Sequence, residues 1–208
     1  MSLTSRLRPR TRRAKDDRGL VAVEVAIIMP LLVLLVSGII EFGMAWRDSL
    51  TVSSGTRSAA RVVSNLGGNR LSDYEALLTL DAALQGLSTS NVAGVMIYDG
   101  SAADGSVPAA CLGSGGTPTS VSGLCNYYTA SMLSSISLAN FDGASATTCS
   151  STSWDHFFCP TSRETRQNMG LQEVGVWVRV KRDWVTKMFP GQGLTVEHQT
   201  VMNVEPGT

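Results

Sequence analysis

The feature that most constrains this chain is an almost uninterrupted apolar run from Leu20 to Ile40, which follows a basic N-terminal tail. A helix of about twenty apolar residues spans the roughly 30 Å hydrocarbon core of a bilayer. The run therefore predicts a membrane-spanning helix. It contains one charged residue, Glu24, near its start. A carboxylate in lipid is costly, so Glu24 needs a compensating partner or a position close to the membrane surface.

Charge is distributed unevenly on the two sides of this run, although the chain of 208 residues has a formal net charge of zero. Fifteen of the 17 acidic residues follow Gly19. Positive flanks resist translocation, so we expect the tail in the cytoplasm and residues 41–208 outside. The neutral balance gives no indication of nucleic-acid binding. The basic residues of the tail are Arg6, Arg8, Arg10, Arg12, Arg13, Lys15 and Arg18.

A cleaved secretory signal peptide is the alternative interpretation of this region, because it too has a basic start and an apolar core. The apolar run is longer than an ordinary signal-peptide core. The sequence that follows, IIEFGMAWRDSL, contains no A-x-A-like cleavage site. Both features favour a retained membrane segment.

Two helices are predicted. Apolar and small residues at helical spacing extend the first helix to about residue 65, where Gly67 is placed to end it. The segment SDYEALLTLDAALQG predicts a second helix. In that helix Ser72 and Glu75 have the spacing of a capping box, and Gly86 closes it.

Strands are predicted in the second part of the chain. NVAGVMIYDG predicts a strand at residues 92–98, and EVGVWVRVKRDW alternates valine with other residues, as in a half-buried strand. LTVEHQTVMNVEP follows the turn sequence MFPGQG and predicts an antiparallel hairpin. The expected fold is α+β. It has a basic leader at 1–19, a long helix at 20–65 (20–40 transmembrane), and an outer domain at 66–208 with a second helix and a small antiparallel sheet.

Four cysteines lie on the predicted outer side, where disulfides persist. They fall in segments rich in Gly, Ser and Thr, residues 99–125 and 141–170, which are predicted to be long loops. The local pairing, Cys111 with Cys125 and Cys149 with Cys159, is favoured because each bond would tether one loop; the other two pairings stay open. No C-x-x-C spacing is present, so a metal site is not predicted.

Candidate catalytic residues are few. His156 follows Asp155, but adjacent residues in a loop rarely orient each other for catalysis, and no nucleophile motif is present. His198 lies in a predicted strand and is expected to face solvent. The sequence thus predicts no enzyme activity, cofactor or small-molecule substrate. The aromatic residues Trp177, Trp184 and Phe189 are interpreted as packing of the sheet on a helix, with a ligand groove as the alternative.

The N-terminal pattern resembles the TadE-like proteins of tight-adherence (Flp) pili, within the wider prepilin class. A basic leader ends at Gly19, Ala22-Val23-Glu24 opens the helix, Pro30 interrupts the apolar run, and Ile40-Glu41-Phe42-Gly43 ends it. The final segment VMNVEP at 201–206 is similar to the family's usual ending. The family usually has an aromatic residue after the first glutamate, where this chain has Val25.

The resemblance implies a pilin-like fold and a minor pilin-like subunit or assembly factor. A prepilin peptidase would cut between Gly19 and Leu20, and Glu24 would neutralise the new amino terminus of an adjacent subunit. Pro30 removes a helical hydrogen bond and is expected to allow a bend. The implied partners are the peptidase, other pilin-like subunits and membrane lipid, at the bacterial cytoplasmic membrane or, after processing, in a pilus. An uncleaved single-pass protein with an extracytoplasmic binding domain is the alternative.

Overall fold

The structure is a computed structural model of the chain. It describes residues 18–87, 92–143, 145–166, 170–188, 190–191 and 193–205. The chain divides into two units, Met1–Ile40 and Glu41–Thr208. The first unit is described only where it is helical, and the second is an α+β unit. The predicted α+β class is confirmed, with a long apolar N-terminal helix, a second helix and an antiparallel sheet.

Helix α1 spans Arg18–Leu66 and contains Pro30. It ends where the sequence predicts. Gly67 has a φ of 52°, and its N–H donates to the carbonyl of Val63 at 3.1 Å. A left-handed residue that returns its N–H to the last helical turn is a common helix end, and glycine adopts that conformation without steric cost.

Helix α2 spans Ser72–Leu84, but the capping box predicted for it is wrong. Ser72 is already inside the helix, and its hydroxyl donates to the carbonyl of Val63 in α1 at 3.4 Å. The N–H of Glu75 donates to the carbonyl of Leu71, the residue before the helix. Because the turn from α1 is short, Ser72 enters α2 one residue after the capping position and faces α1 instead of its own helix end.

Within the described residues, the sheet has four antiparallel strands, β1 (Val92–Asp99), β2 (Cys125–Thr129), β3 (Glu173–Arg182) and β4 (Leu194–Asn203). Their order in the sheet is β2-β1-β3-β4. The predicted hairpin is confirmed, since Glu173 pairs with Asn203 and Arg182 with Leu194. The segment after Asn126 completes a short strand and continues directly into a short helix. Two short α-helices, α3 (Ala109–Leu112) and α4 (Ala130–Leu133), lie outside the sheet.

Both faces of β3 are buried, which corrects the prediction of a half-buried strand. Val176 and Val178 belong to the main core with residues of α1 and α2. Trp177, on the opposite face, packs with Tyr98 and Cys111 in a second buried cluster. The loop between β1 and β2 covers that face. The alternation of valine with other residues in β3 therefore divides the strand between two buried apolar clusters, rather than between a buried face and a solvent-exposed face.

Candidate functional site

The residues predicted for processing and assembly lie in the first turns of α1. Gly19, Leu20 and Glu24 are all exposed, Leu20 to 67%. A Cβ built on Gly19 would meet no other atom within 4 Å. The described part of this unit thus leaves the backbone around residues 19–20 and the Glu24 carboxylate accessible.

The apolar part of α1 presents its side chains outward. Every residue from Leu20 to Val36 is exposed. Among the described residues, α1 is the one helix that is long and apolar enough to cross a bilayer. Transfer of an apolar side chain out of water is favourable, and no described part of the chain buries these side chains. The first unit therefore has the character of a single-pass membrane anchor.

Glu41 attaches the helix to the sheet directly after the apolar run ends. Its side chain is buried, and Oε1 accepts a hydrogen bond of 2.6 Å from the backbone N–H of Thr186. Its Oε2 has no hydrogen-bond partner among the described residues. Thr186 lies in the turn between β3 and β4. This turn is therefore held at the helix position where the apolar run ends.

Two further contacts align the same hairpin with α1. Arg182, the last residue of β3, donates to the carboxylate of Asp48 and lies 3.2 Å from the sulfur of Met44. His198 of β4 contacts the hydroxyl of Ser49 through Nε2 at 2.9 Å. The expectation that His198 faces solvent is wrong, because β4 lies beside α1 and brings this ring against the helix.

The far end of the hairpin is fixed near the end of α1. The hydroxyl of Ser64 donates to the carbonyl of Asn203 at 2.5 Å, and the N–H of Glu205 donates to the carbonyl of Ser64 at 2.8 Å. Val204 between them is fully buried. The described part of the VMNVEP segment thus ties the C-terminal region to the end of α1. It follows that β4 runs alongside the helix in the same direction, with the β3–β4 turn at the Glu41 end.

An open apolar groove lies between α1 and β4, the edge strand. It is lined by Phe42 and Trp46 of the helix and by Leu194, Val196 and His198 of the strand. Phe42 and Trp46 are 65% and 70% exposed, a high value for aromatic residues. Large exposed apolar side chains that lie together indicate a contact surface.

Sequence reasoning missed a buried ion-pair network around Arg70. Its guanidinium donates to Asp155, to Asp142 at 3.2 Å and to the hydroxyl of Ser153 at 2.8 Å. Burial and the nearby charge of Asp73 raise the pKa of Asp155, while the hydrogen bonds from Arg70 oppose that rise. Arg70 thus anchors the long loop after β2 to the turn between α1 and α2.

A second buried network lies around Asp73 in α2. Its Oδ1 accepts from Arg163 at 2.6 Å, and its Oδ2 accepts from Asn126 and from the hydroxyl of Tyr128, both at 2.9 Å. Asp73 and Arg163 are both fully buried. One signal was available in the sequence: Asp73 occupies the same helical stripe as the buried Leu77 and Leu84, where a carboxylate needs buried partners.

The cysteines form the local pairs, Cys111–Cys125 and Cys149–Cys159. Cys111 and Cys125 are fully buried in the second cluster, whereas Cys149 and Cys159 are half-buried. The two bonds tether the two loops that carry little regular structure.

The candidate catalytic residues are not brought together. Asp155 pairs with Arg70, and Nδ1 of His156 lies 2.6 Å from the carbonyl of Ser153 while its ring stacks on Phe157. In the described residues, no group of three His, Cys, Asp or Glu side chains is arranged to hold a metal ion.

The aromatic residues considered for a ligand groove have separate positions. Trp177 packs inside the second cluster, with the guanidinium of Arg179 4.8 Å from its ring centre. Trp184 is half-buried in the β3–β4 turn. Phe189 lies outside the described residues. Trp177 is therefore a packing residue, but it packs beneath the loop between β1 and β2 rather than against α1 or α2.

Comparison with known proteins supports the interpretation of α1. In the part of the chain that the structure describes, one long exposed apolar helix followed by an α+β unit indicates a single-pass membrane anchor. Residues 19–61 match the family model described as TadE-like protein, which confirms the resemblance inferred from the sequence. The match begins at Gly19, directly after the basic leader, and supports an association with the Tad pilus. No curated protein and no solved structure matches the chain.

Proposed function

We propose that this chain is the precursor of a minor pilin-like subunit or assembly factor of a Tad/Flp-type pilus. It would be cut after Gly19 by a prepilin peptidase and then packed with other pilin-like subunits through α1. The observation that carries the proposal is the TadE-like match that starts at Gly19, on a helix whose apolar side chains are exposed. A helix of this kind needs lipid before assembly and neighbouring helices after it.

Each part of the N-terminal region then has a physical role. The basic leader holds the precursor in one orientation, because positive flanks stay in the cytoplasm. Cleavage removes that charge and creates a free ammonium group on Leu20. Glu24 lies one helical turn further on and would neutralise this ammonium in a neighbouring subunit, which sets the register of the helices. Pro30 lacks the N–H of one helical hydrogen bond, so the helix is expected to bend there during packing.

Processing is tested by replacing the residue before the cut. In cells with an active prepilin peptidase, Gly19→Leu should leave the full-length precursor, seen as a larger mass on immunoblots of membranes. Gly43→Leu is a matched control, since Gly43 is also a helical glycine with open space around a built Cβ. It should be processed like the native chain. Equal processing of Gly19→Leu would overturn the assigned cleavage position.

The role of Glu24 is tested separately. Glu24→Ala should still insert into the membrane and be cut, but it should lose incorporation into multimers recovered by crosslinking. Glu75→Ala, which removes an exposed glutamate on α2, should assemble normally. If Glu24→Ala assembles as well as Glu75→Ala, Glu24 does not guide packing. If no variant is ever cut, the uncleaved membrane-anchored binding protein becomes the better description.

A further inference from the structure

Four large apolar side chains are exposed near the end of the α+β unit that holds Glu41. Two lie on α1, Phe42 and Trp46, and two lie in the β3–β4 turn, Val185 at 60% and Met188 at 50% exposure. We name these four residues the interfacial patch. Large apolar side chains that are exposed to water carry a free-energy cost, and here one exposed pair lies on the helix and the other in the turn.

The depth of this patch follows from one hydrogen bond and the geometry of a helix. The N–H of Thr186 is bound to Glu41, the first residue after the apolar run. Val185 precedes Thr186 and Met188 is two residues beyond it, so both belong to the segment that this hydrogen bond ties to Glu41. Phe42 and Trp46 follow Glu41 by one and five residues, which is about 2 and 8 Å along the helix at 1.5 Å per residue. A bilayer has a polar headgroup layer of several ångströms on each side of its hydrocarbon core, so all four side chains fall at or near that layer.

The chemistry of the patch fits such a layer. Tryptophan is enriched at membrane surfaces, where one ring contacts both acyl chains and polar groups. Arg47 and Lys187 are exposed and adjoin Trp46 and Met188 in the chain, and both cations suit anionic headgroups; Asp183 is an exposed acidic residue in the same turn.

We propose that the interfacial patch docks on a lipid surface, so that the β3–β4 turn inserts into the headgroup layer on the outer side of the membrane. This rests on the membrane placement given under Proposed function. A lipid surface is favoured over a single protein partner because Glu41 faces the turn whereas Phe42, the next residue, points away by about 100° around the helix. A bilayer surrounds the emerging helix and covers both sides at once.

The test is a depth measurement on the full-length protein in phosphatidylethanolamine–phosphatidylglycerol vesicles. All four native cysteines are in disulfides, so an introduced cysteine is labelled selectively with an environment-sensitive fluorophore. The probes are Val185→Cys and Met188→Cys in the turn, Leu32→Cys in the apolar run and Leu78→Cys in α2. Leu78 is the matched control: it is an exposed leucine in α2, whose last turns pack against Gly55, about 21 Å along α1 from Glu41.

Lipids with a nitroxide near the headgroup should quench the labels at 185 and 188 and shift their emission to the blue, while the label at 78 stays unquenched. The label at 32 should be quenched by nitroxides deep in the acyl chains. If the labels at 185 and 188 behave like the label at 78 while the label at 32 is buried in lipid, docking of the patch is overturned and the anchor stands. If the label at 32 also stays in water, the membrane anchor itself fails, and the docking fails with it.

Discussion

Glu41 accepts a 2.6 Å hydrogen bond from the backbone N–H of Thr186, and this contact joins the end of the apolar run to the turn of the C-terminal hairpin. The carboxylate is buried, and the residue belongs to the Ile-Glu-Phe-Gly sequence that ends the run. In the sequence, Glu41 marks the end of the apolar run. In the folded chain, the same residue connects the helix to the sheet.

Glu41→Ala should loosen the β3–β4 turn without unfolding the sheet. It removes the acceptor of a part-buried hydrogen bond, a loss of about 1 kcal/mol. The amide of Thr186 should then exchange with deuterium much faster, while amides in the middle of β3 keep their protection. Glu75→Ala, at an exposed position, is the control. Unchanged exchange at Thr186 would show that Glu41 does not hold the turn.

Asp73→Ala should destabilise the protein strongly. It leaves the buried guanidinium of Arg163 without its carboxylate, and breaking a buried pair from one side costs about 3–5 kcal/mol. Urea unfolding measures the loss, and the half-buried Asp81→Ala is the control on the same helix. The double variant Asp73→Ala/Arg163→Met should recover part of the lost stability. A double variant less stable than Asp73→Ala would contradict the pairing.

The two disulfides should differ in accessibility to reductant. Cys149–Cys159 is half-buried, whereas both sulfurs of Cys111–Cys125 belong to fully buried residues, so a mild thiol should open Cys149–Cys159 first. Alkylation and peptide mass spectrometry identify the opened pair. The chain-entropy model gives about 3 kcal/mol for a loop of this size, so reduction should lower the urea midpoint. Simultaneous opening of both pairs would contradict the burial argument.

Alkaline pH should destabilise the fold through Tyr98. Burial, followed by the charge of Asp104, raises the pKa of Tyr98 to about 12, and its hydroxyl donates to the carbonyl of Gly105 at 2.9 Å. Because the folded pKa exceeds the usual value of about 10, the folded state holds this proton more tightly. The stabilisation that Tyr98 gives the folded state is therefore fully present below pH 10 and is lost as the pH rises from 10 through 12.

Tyr98→Phe provides the check on this pH dependence. The variant should be somewhat less stable at neutral pH but should lose less of its stability between pH 10 and 12. Burial also raises the pKa of Tyr128 well above its usual value, so part of the alkaline loss should persist. Denaturant midpoints measured across that range give the comparison. If the denaturant midpoints of the variant and the native chain fall in parallel with pH, Tyr98 is not a source of the alkaline loss of stability.

The sequence was sufficient to predict those elements that depend on local patterns. The apolar run and Gly67 defined α1, and alternation with a turn sequence defined the β3–β4 hairpin, because each signal lies within a few residues of its consequence. No local pattern in the sequence defined strand β2, because its five residues continue directly into α4. Ser72 was predicted at the capping position of α2 but is the first residue inside the helix. The length of the turn from α1, which decides this, depends on how the two helices pack.

The polar contacts could not be predicted in the same way. Arg163 meets Asp73 across 90 positions, and Thr186 meets Glu41 across 145, so no local pattern connects them. His198 was assigned to solvent because its strand neighbours are polar. The contact between His198 and Ser49 becomes evident only from the structure, where β4 lies beside α1.

The central claim, a precursor processed after Gly19, is tested most directly by the intact mass and N-terminal sequence of the protein extracted from its native membrane. Cells with an active prepilin peptidase should yield a chain that begins at Leu20 and carries a free ammonium group near Glu24. A chain that begins at Met1 or Ser2 in such cells would contradict the account. The protein would then be a permanently anchored membrane protein that keeps its basic leader.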